Sequence, residues 1–476
     1  DQETIVRKII KKALHEESEK IERMPIGICN DVYKVTTATR KAVVRVNVWP
    51  SQLEGVGKHI ELFKSLGIKV SELLASDYSK KEFTVAYQIL SYIEGKDLGL
   101  VIETMSDDEL KELAKEVAAI FKKLSAVPTN GKFGWVGKDE SKLLDSWSLV
   151  MKQTEVAKRN AETGVVGDEL VQKEKDLHEK YKPYFDSVKS TFYFDDIASK
   201  NVLIQDGKFA GLIDLNEVAY GDPLEAVGSI KASWYGTYHG EVYTKAVEDE
   251  LDLVPDQRKM VTVYALFNQI LWLSENGVRF NENTSTKIDE GLATKYRKII
   301  QQLFSELENM ERDLSKIEVK SSAIEGKGVF AAQDLKKGET IFVMDDAHVI
   351  DDINILTPYE QAYEADWIGD GKTIHMQAPE KHINHSCDPT TYVKTIDGLR
   401  NVIAMRDIKK GEEITYDYAI GGYYDSDEPC HCGSKNCRGT ISPNFFKLPK
   451  GRQKEYMPYL DTWFLEKFEK ELKEIN

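Results

Sequence analysis

Apolar and polar residues alternate over the first 95 or so positions and then settle into a helical rhythm. Val32-Tyr33-Lys34-Val35 and Ala42-Val43-Val44-Arg45-Val46 read as short β-strands parted by the polar run Thr36 to Lys41. Gln88 to Ile93 reads as another strand ending in a turn at Glu94-Gly95. Past residue 100, Ser106-Asp107-Asp108-Glu109 forms a capping box, and Leu110, Leu113, Val117, Ile120 and Leu124 recur on one helix face. Asn201 to Leu215 interrupts this rhythm as a β-hairpin turning at Asp206-Gly207. Helices resume with the mostly apolar Lys259 to Ser274 and the amphipathic Thr294 to Asp313. From Lys316 the chain becomes short strands punctuated by Gly-Lys-Gly, Lys-Lys-Gly and Gly-Glu-Glu, and Tyr456 to Asn476 reads as one amphipathic helix. The main domain boundary is expected near 312–316, and no internal repeat is visible.

With 476 residues the chain needs more than one core. Its net charge of −16 argues against duplex nucleic acid as a partner, because phosphate binding needs a basic face. It suits a cationic substrate instead, an amine-bearing small molecule or a Lys-rich peptide. The longest apolar stretch, Val261 to Leu273, is broken by Asn268 and Gln269 and is too short to span a bilayer, so no membrane is expected. The first twenty residues, charged and helix-like, carry no apolar leader pattern. Of five cysteines, four cluster late in the chain and Cys29 stands alone, so a reducing compartment and a cytoplasmic location are expected.

Phosphoryl transfer needs a carboxylate to take the proton of the attacking hydroxyl, and an Asn and a second Asp to hold magnesium against the phosphates. Phe194-Asp195-Asp196-Ile197-Ala198-Ser199-Lys200-Asn201, followed by Gly211-Leu212-Ile213-Asp214, supplies these types in order. The spacing resembles the aminoglycoside phosphotransferase and choline kinase family, small-molecule kinases with a protein-kinase-like fold. The resemblance, over roughly residues 20–310, implies that Asp196 is the catalytic base and that Asn201 and Asp214 are Mg2+ ligands. It also places Arg45 against the nucleotide α- and β-phosphates, with Glu54 or Glu61 as its partner. The loop Gly27-Ile28-Cys29-Asn30-Asp31-Val32-Tyr33 falls at the family's nucleotide loop, with Gly27 and Asn30 facing ATP or GTP, and Ile89 to Ile93 falls at the adenine hinge. Gly221-Asp222-Pro223 is similar to the family's Gly-Asp-Pro. Three positions depart from the pattern: Phe194 stands for a His, Asp195 for a Gly and Ala226 for an Asp. They leave open a kinase fold used only to bind a partner.

Gly371-Lys372-Thr373 has Asp366 where a phosphate-binding loop needs Gly, and is read as a surface turn.

Cys430, Cys432 and Cys437, in a Cys-x-Cys-x4-Cys pattern, together with Cys387 can close an S4 tetrahedron around zinc. Around them stand Gly326-Lys327-Gly328-Val329-Phe330, Asn384-His385-Ser386-Cys387 and the run Gly411 to Tyr418. Together these resemble the SET domain of protein lysine methyltransferases with its post-SET zinc cluster, over about residues 316–445. The resemblance implies AdoMet as cofactor, cradled by Gly326, Lys327 and Gly328 and contacted by Asn384 and His385. Tyr418 then closes the active site against both cofactor and amine, and Tyr416 influences how many methyl groups are added. Tyr423 and Tyr424 are either channel walls or exposed loop residues. Thr390 stands where Asn often follows Cys-Asp-Pro.

The expected fold class is thus multidomain α+β. A protein-kinase-like N-lobe (1–95) and helical C-lobe (96–314) precede a β-rich SET domain (315–424), a post-SET zinc cluster (425–445) and a C-terminal helical extension (446–476). The expected partners are an amine-bearing small molecule, a Lys-containing protein, or both. Either the two halves act on one amine-bearing substrate, or the kinase fold recruits the protein that the other half methylates.

Overall fold

Five antiparallel strands open the chain in the order Ser18–Arg23, Asp31–Thr37, Lys41–Asn47, Ala86–Ser91, Leu73–Asp77. In this computed structural model the described residues are 2–24, 30–136, 140–216, 218–279, 285–346, 348–350, 352–368 and 372–475. The period of two explains the first sheet. Ala42, Val44 and Val46 bury one face with Val35, Tyr33 and Ile89, and helix Gln2–Leu14 covers it with Val6, Ile9 and Ile10. Arg45, out of phase with the valines, is delivered to the opposite face. The third expected strand runs Ala86–Ser91, starting two residues earlier than Gln88 and ending before Tyr92, and Tyr92 to Gly95 lie outside any strand.

The helical part is built as the pattern requires. Ser106 and Glu109 complete the capping box of helix Asp107–Ser125, and Leu110, Leu113, Val117, Ile120 and Leu124 are all buried. The hairpin pairs Val202–Gln205 with Lys208–Leu212, and Asp206 and Gly207 both take positive φ, as a tight two-residue turn demands. Helix Leu224–Trp234 packs on Pro255–Glu275 at Gly228, where a Cβ would collide with Tyr264. A second small sheet, Gly134–Trp135, Val218–Gly221 and Thr191–Phe194, ends at the segment carrying Asp196. Among the described residues no helix is long and apolar enough to cross a membrane.

The chain divides into two compact units, Asp1–Phe304 and Ser305–Asn476. The division falls inside helix Glu290–Met310, earlier than the change of texture near 312–316 suggests. The second unit is centred on a seven-stranded sheet containing Ile317–Ser321, Lys327–Ala331, Glu413–Tyr416, Thr391–Ile396, Leu399–Ala404 and Thr340–Val343. The two-residue strand Asn384–His385 pairs in parallel with Glu413–Tyr416. Val329, Ile341, Val402 and Ile414 fill its core.

The chain's last segment differs from the expected single helix. It is broken into Lys450–Tyr456, Thr462–Lys467 and Glu469–Lys473. Pro458 cannot continue the first helix, and Asp461 caps the second with its side chain.

Candidate active sites

The first site gathers around the turn after strand Thr191–Phe194. Asp196 is mostly buried, and burial raises its carboxyl pKa to about 6. Asp195 and Asp214 push in the same direction, while the Lys200 ammonium, 3.8 Å away, and Asn201 oppose them. Asn201 is 2% exposed and donates from Nδ2 to the Asp196 carbonyl at 2.9 Å, which directs its Oδ1 elsewhere. Asp214 follows the hairpin with a left-handed backbone, φ 56°. The sheet and the hairpin meet here: Arg45 donates to Asp214 Oδ1 at 2.9 Å and to Asn216 Oδ1 at 3.4 Å. These described partners of Arg45 differ from the expected Glu54 or Glu61. Glu61 is exposed on helix Val56–Ser65, whose inward face instead carries His59, bonded to the Leu215 carbonyl at 2.8 Å. Burial lowers the His59 pKa, so the neutral ring donates there.

Asn30 accepts from Asn47 Nδ2 at 2.9 Å, while Gly27, Ile28 and Cys29 lie outside the described residues. The departures from the family pattern each have a local role. Phe194 is buried edge-on against Phe63, ring centroids 6.0 Å apart, a contact a polar His would make less well. Asp195 accepts from the Trp135 indole at 2.8 Å and shares a hydrogen bond with Glu225, whose burial pushes its carboxyl strongly toward the protonated form. Ala226 is fully buried beside Glu225. Asp222 accepts from Tyr184, Tyr264 and the Leu224 amide, and holds the following helix in place. Trp135 and Glu225 escaped sequence reading because no spacing rule links them to Asp195.

The second site sits where Lys327–Ala331, Asn384–His385 and Glu413–Tyr416 meet. Gly326 has φ 46°, a backbone that favours glycine, and Gly328 leaves room for the Glu413 carboxylate, which a Cβ there would displace. Asn384 Nδ2 clasps that turn, donating to the carbonyls of Glu325 and Lys327 at 3.2 and 3.1 Å and to Glu413 at 2.8 Å. Ser322 Oγ donates to the same carboxylate. Glu413 was inside the Gly-Glu-Glu run, but its role as the staple of the Gly-x-Gly turn needed the sheet to appear.

The His385 ring faces the interior, with Nε2 3.4 Å from Cys387 Sγ and Nδ1 accepting from the Tyr418 amide at 3.3 Å. Burial lowers its pKa to about 4, so the ring is neutral. Tyr418 donates its hydroxyl to the Ile383 carbonyl at 3.0 Å, and Tyr416 donates to the Ile420 carbonyl. The two rings are 6.4 Å apart at 41°. Tyr424 joins them: burial raises its pKa to about 12, and Asp366 adds to the shift at all three tyrosines. Asp366 is held in turn by Arg400 at 2.5 Å. Tyr423 instead turns into the C-terminal aromatic cluster, against Phe468 and Trp463. Gly371 lies outside the described residues, and Lys372 and Thr373 are on strand Lys372–His375 with no helix start to cradle a phosphate.

Cys387, Cys430, Cys432 and Cys437 converge, their sulfurs all within 4.8 Å of one another. The Cys387–Cys430 separation is 3.8 Å. A tetrahedron with Zn–S bonds of about 2.3 Å has edges of about 3.8 Å, so the donor set fits zinc in chemistry and in size. The neighbouring Arg438 donates its amide to Cys387 Sγ and its guanidinium, bidentately, to Asp417 at 2.7 and 2.8 Å. Glu360, Glu364 and His375 also converge, but Lys381 neutralises Glu364, and the Glu360 carboxylate accepts from the amide and hydroxyl of Thr357, the N-cap of its helix.

Comparison with known proteins agrees with this geometry. Residues 20–260 match the family described as the phosphotransferase enzyme family, and residues 326–419 match the SET domain. The first match covers just over half of the chain, which therefore belongs to the phosphotransferase enzyme family, with a SET domain fused after it. The chain is similar to the histone-lysine N-methyltransferase trithorax of Drosophila virilis, 33% identical over 135 residues, 25% of this chain and 3% of that protein. It is also similar to the H3 lysine-36 specific histone-lysine N-methyltransferase of Candida albicans, 33% identical over 140 residues, 26% of this chain and 16% of that protein. The matched segments thus span only a small part of these relatives. Among solved structures, an apo thermostable mutant of aminoglycoside phosphotransferase APH(4)-Ia aligns with a TM-score of 0.46 at 16% identity, over 64% of this chain and 97% of that one.

Proposed function

We propose that the chain is a bifunctional transferase. One half is a Mg-nucleotide-dependent small-molecule phosphotransferase, and the other is an AdoMet-dependent N-methyltransferase acting on lysine or another amine. The observation that carries the reading is the double convergence: Asp196, Asn201, Asp214 and Arg45 in one unit, and the Gly326-Gly328 turn with Tyr416, Tyr418 and Tyr424 in the other.

In the phosphotransferase half, Asn201 Oδ1 and the Asp214 carboxylate would hold magnesium, and Arg45 would pair with phosphate oxygens. The nucleotide supplies the phosphoryl group. Asp196, with its pKa near 6, is mostly ionised at neutral pH and accepts the acceptor hydroxyl's proton as the oxygen attacks. The net charge and Asp195 favour a cationic acceptor.

In the methyltransferase half, Gly326, Lys327, Gly328 and Asn384 would cradle AdoMet, whose sulfonium supplies an electrophilic methyl. Because the His385 ring is committed to the interior, its main chain is the part left for the cofactor. Tyr418, Tyr416 and Tyr424 line an aromatic channel with Asp366 beside it, which draws in a cationic side chain and holds the amine in line once its proton is lost. The thiolate cluster would hold zinc as a structural ion.

A second reading has the kinase fold as a binding module and only the SET domain doing chemistry. Phe194, Asp195 and the Arg45–Asp214 pair favour it, since the pair occupies a carboxylate that a metal needs. Thermal shift with Mg-ATP, Mg-GTP and AdoMet, each alone, separates the two. A ligand at a hundredfold excess over Kd stabilises by about 2.7 kcal/mol. Stabilisation by AdoMet alone, with no nucleotide effect and no turnover on aminoglycosides or amino alcohols, would leave the binding-module reading standing.

A further inference from the structure

Asp417 is fully buried between the two channel tyrosines, and a buried carboxylate is tolerable only when its lone pairs are filled. Four hydrogen bonds fill them, from three stretches of chain. Arg438, next to the thiolate cluster, gives two, and the Ala419 amide gives one at 3.1 Å. The last comes from Tyr456, whose hydroxyl donates at 3.0 Å from helix Lys450–Tyr456, beyond both the SET match and the cysteines. Tyr456 is itself buried in an aromatic cluster with Phe445, Phe464 and Leu460.

The same segment grips the other side of the channel. The Tyr423 ring packs against Phe468 and Trp463, centroids 5.4 and 6.2 Å away, with the Lys467 ammonium 4.4 Å over its face. Tyr423 immediately precedes Tyr424. Gly422 admits no side chain, because a Cβ there would collide with the Pro443 carbonyl and meet the Tyr418 carbonyl at 2.6 Å.

We propose that this C-terminal segment is a working part of the methyl-transfer channel. Tyr456 is a positioning residue that sets the Tyr416–Tyr418 pair through Asp417, while Phe468 and Trp463 set Tyr424 through Tyr423. The proposal rests on the methyltransferase reading above.

The test is Tyr456→Phe in the full chain, with Asp461→Asn as its comparison. Asp461 anchors the same segment through three bonds to Thr395 but does not touch Asp417. Methyl transfer is measured from labelled AdoMet to a pool of Lys-containing peptides, with AdoMet Kd, zinc content, Tm and amide hydrogen exchange of the cofactor-free chain alongside. Tyr456→Phe is expected to lower kcat about tenfold, the scale of one lost hydrogen bond, with Kd and zinc unchanged and faster exchange at residues 416–424. Asp461→Asn is expected to lower Tm with a smaller loss of kcat than Tyr456→Phe, because the Tyr456–Asp417 hydrogen bond stays in place. A Tyr456→Phe chain with wild-type kcat overturns the proposal, and so do two variants whose kcat losses simply follow Tm. Should the wild-type chain bind AdoMet yet transfer no methyl, the methyltransferase reading fails, and unchanged exchange at 416–424 then overturns the positioning role separately.

Discussion

Arg45 donates to Asp214 across 2.9 Å, joining the strand that faces the nucleotide position to the carboxylate expected to hold magnesium. Arg45 is almost fully buried and Asp214 is half exposed, so the pair is formed at the mouth of the cleft. A magnesium-nucleotide complex offers each residue a better partner: phosphate for the guanidinium, a divalent cation for the carboxylate.

Asp214→Ala is therefore expected to abolish magnesium-dependent phosphoryl transfer in a chain that still folds, with a lowered Tm because the buried Arg45 guanidinium loses its ion partner. The checks are turnover against a panel of aminoglycosides and amino alcohols, with circular dichroism for the fold. Undiminished turnover in the variant would remove Asp214 from the site.

The thiolate cluster is expected to hold one zinc per chain. Cys432→Ser should lose the ion and disorder the segment after Tyr424, because metal binding here is local folding energy. Elemental analysis and hydrogen exchange report both effects. A metal-free wild-type protein, or a disulfide among the four cysteines, contradicts the assignment.

Tyr418→Phe should leave AdoMet affinity nearly intact and cut methyl transfer by about 10²–10³, the usual cost of one preorganised polar group at a reacting centre. The loss is expected in kcat because the hydroxyl, anchored on the Ile383 carbonyl, is proposed to orient the amine and the moving methyl rather than to hold the cofactor. Wild-type turnover in this variant would mean that the site has been built around the wrong tyrosine.

Tyr416→Phe tests a different property. The hydroxyl donates to the Ile420 carbonyl, and in the proposed channel its removal makes room and should raise the number of methyl groups per amine. Mass spectrometry of the peptide products reads this directly, and an unchanged mono-, di- and trimethyl distribution would count against it.

Where local geometry depends on residues close in sequence, it was legible in the chain itself. Asp196 to Asn201, Gly326 to Gly328, and Cys430 to Cys437 each set their geometry through a few backbone torsions, so residue type and spacing suffice. The capping box at Ser106 and the Asp206-Gly207 turn are local in the same sense. The partners of Arg45 were not legible. Glu54 and Glu61, before and on the next helix, had the right charge, but the fold brings Asp214 and Asn216 within reach, on a segment that His59 also holds through the Leu215 carbonyl. Tyr423 and Tyr424 are adjacent and chemically alike, yet Tyr423 turns into an aromatic cluster with Trp463 and Phe468, some forty residues on, and Tyr424 is left partly exposed. Asp417, Arg438 and Tyr456 likewise have no spacing in common. Burial makes the pairing of a carboxylate obligatory, but which long-range groups supply it is decided only when the chain has closed on itself.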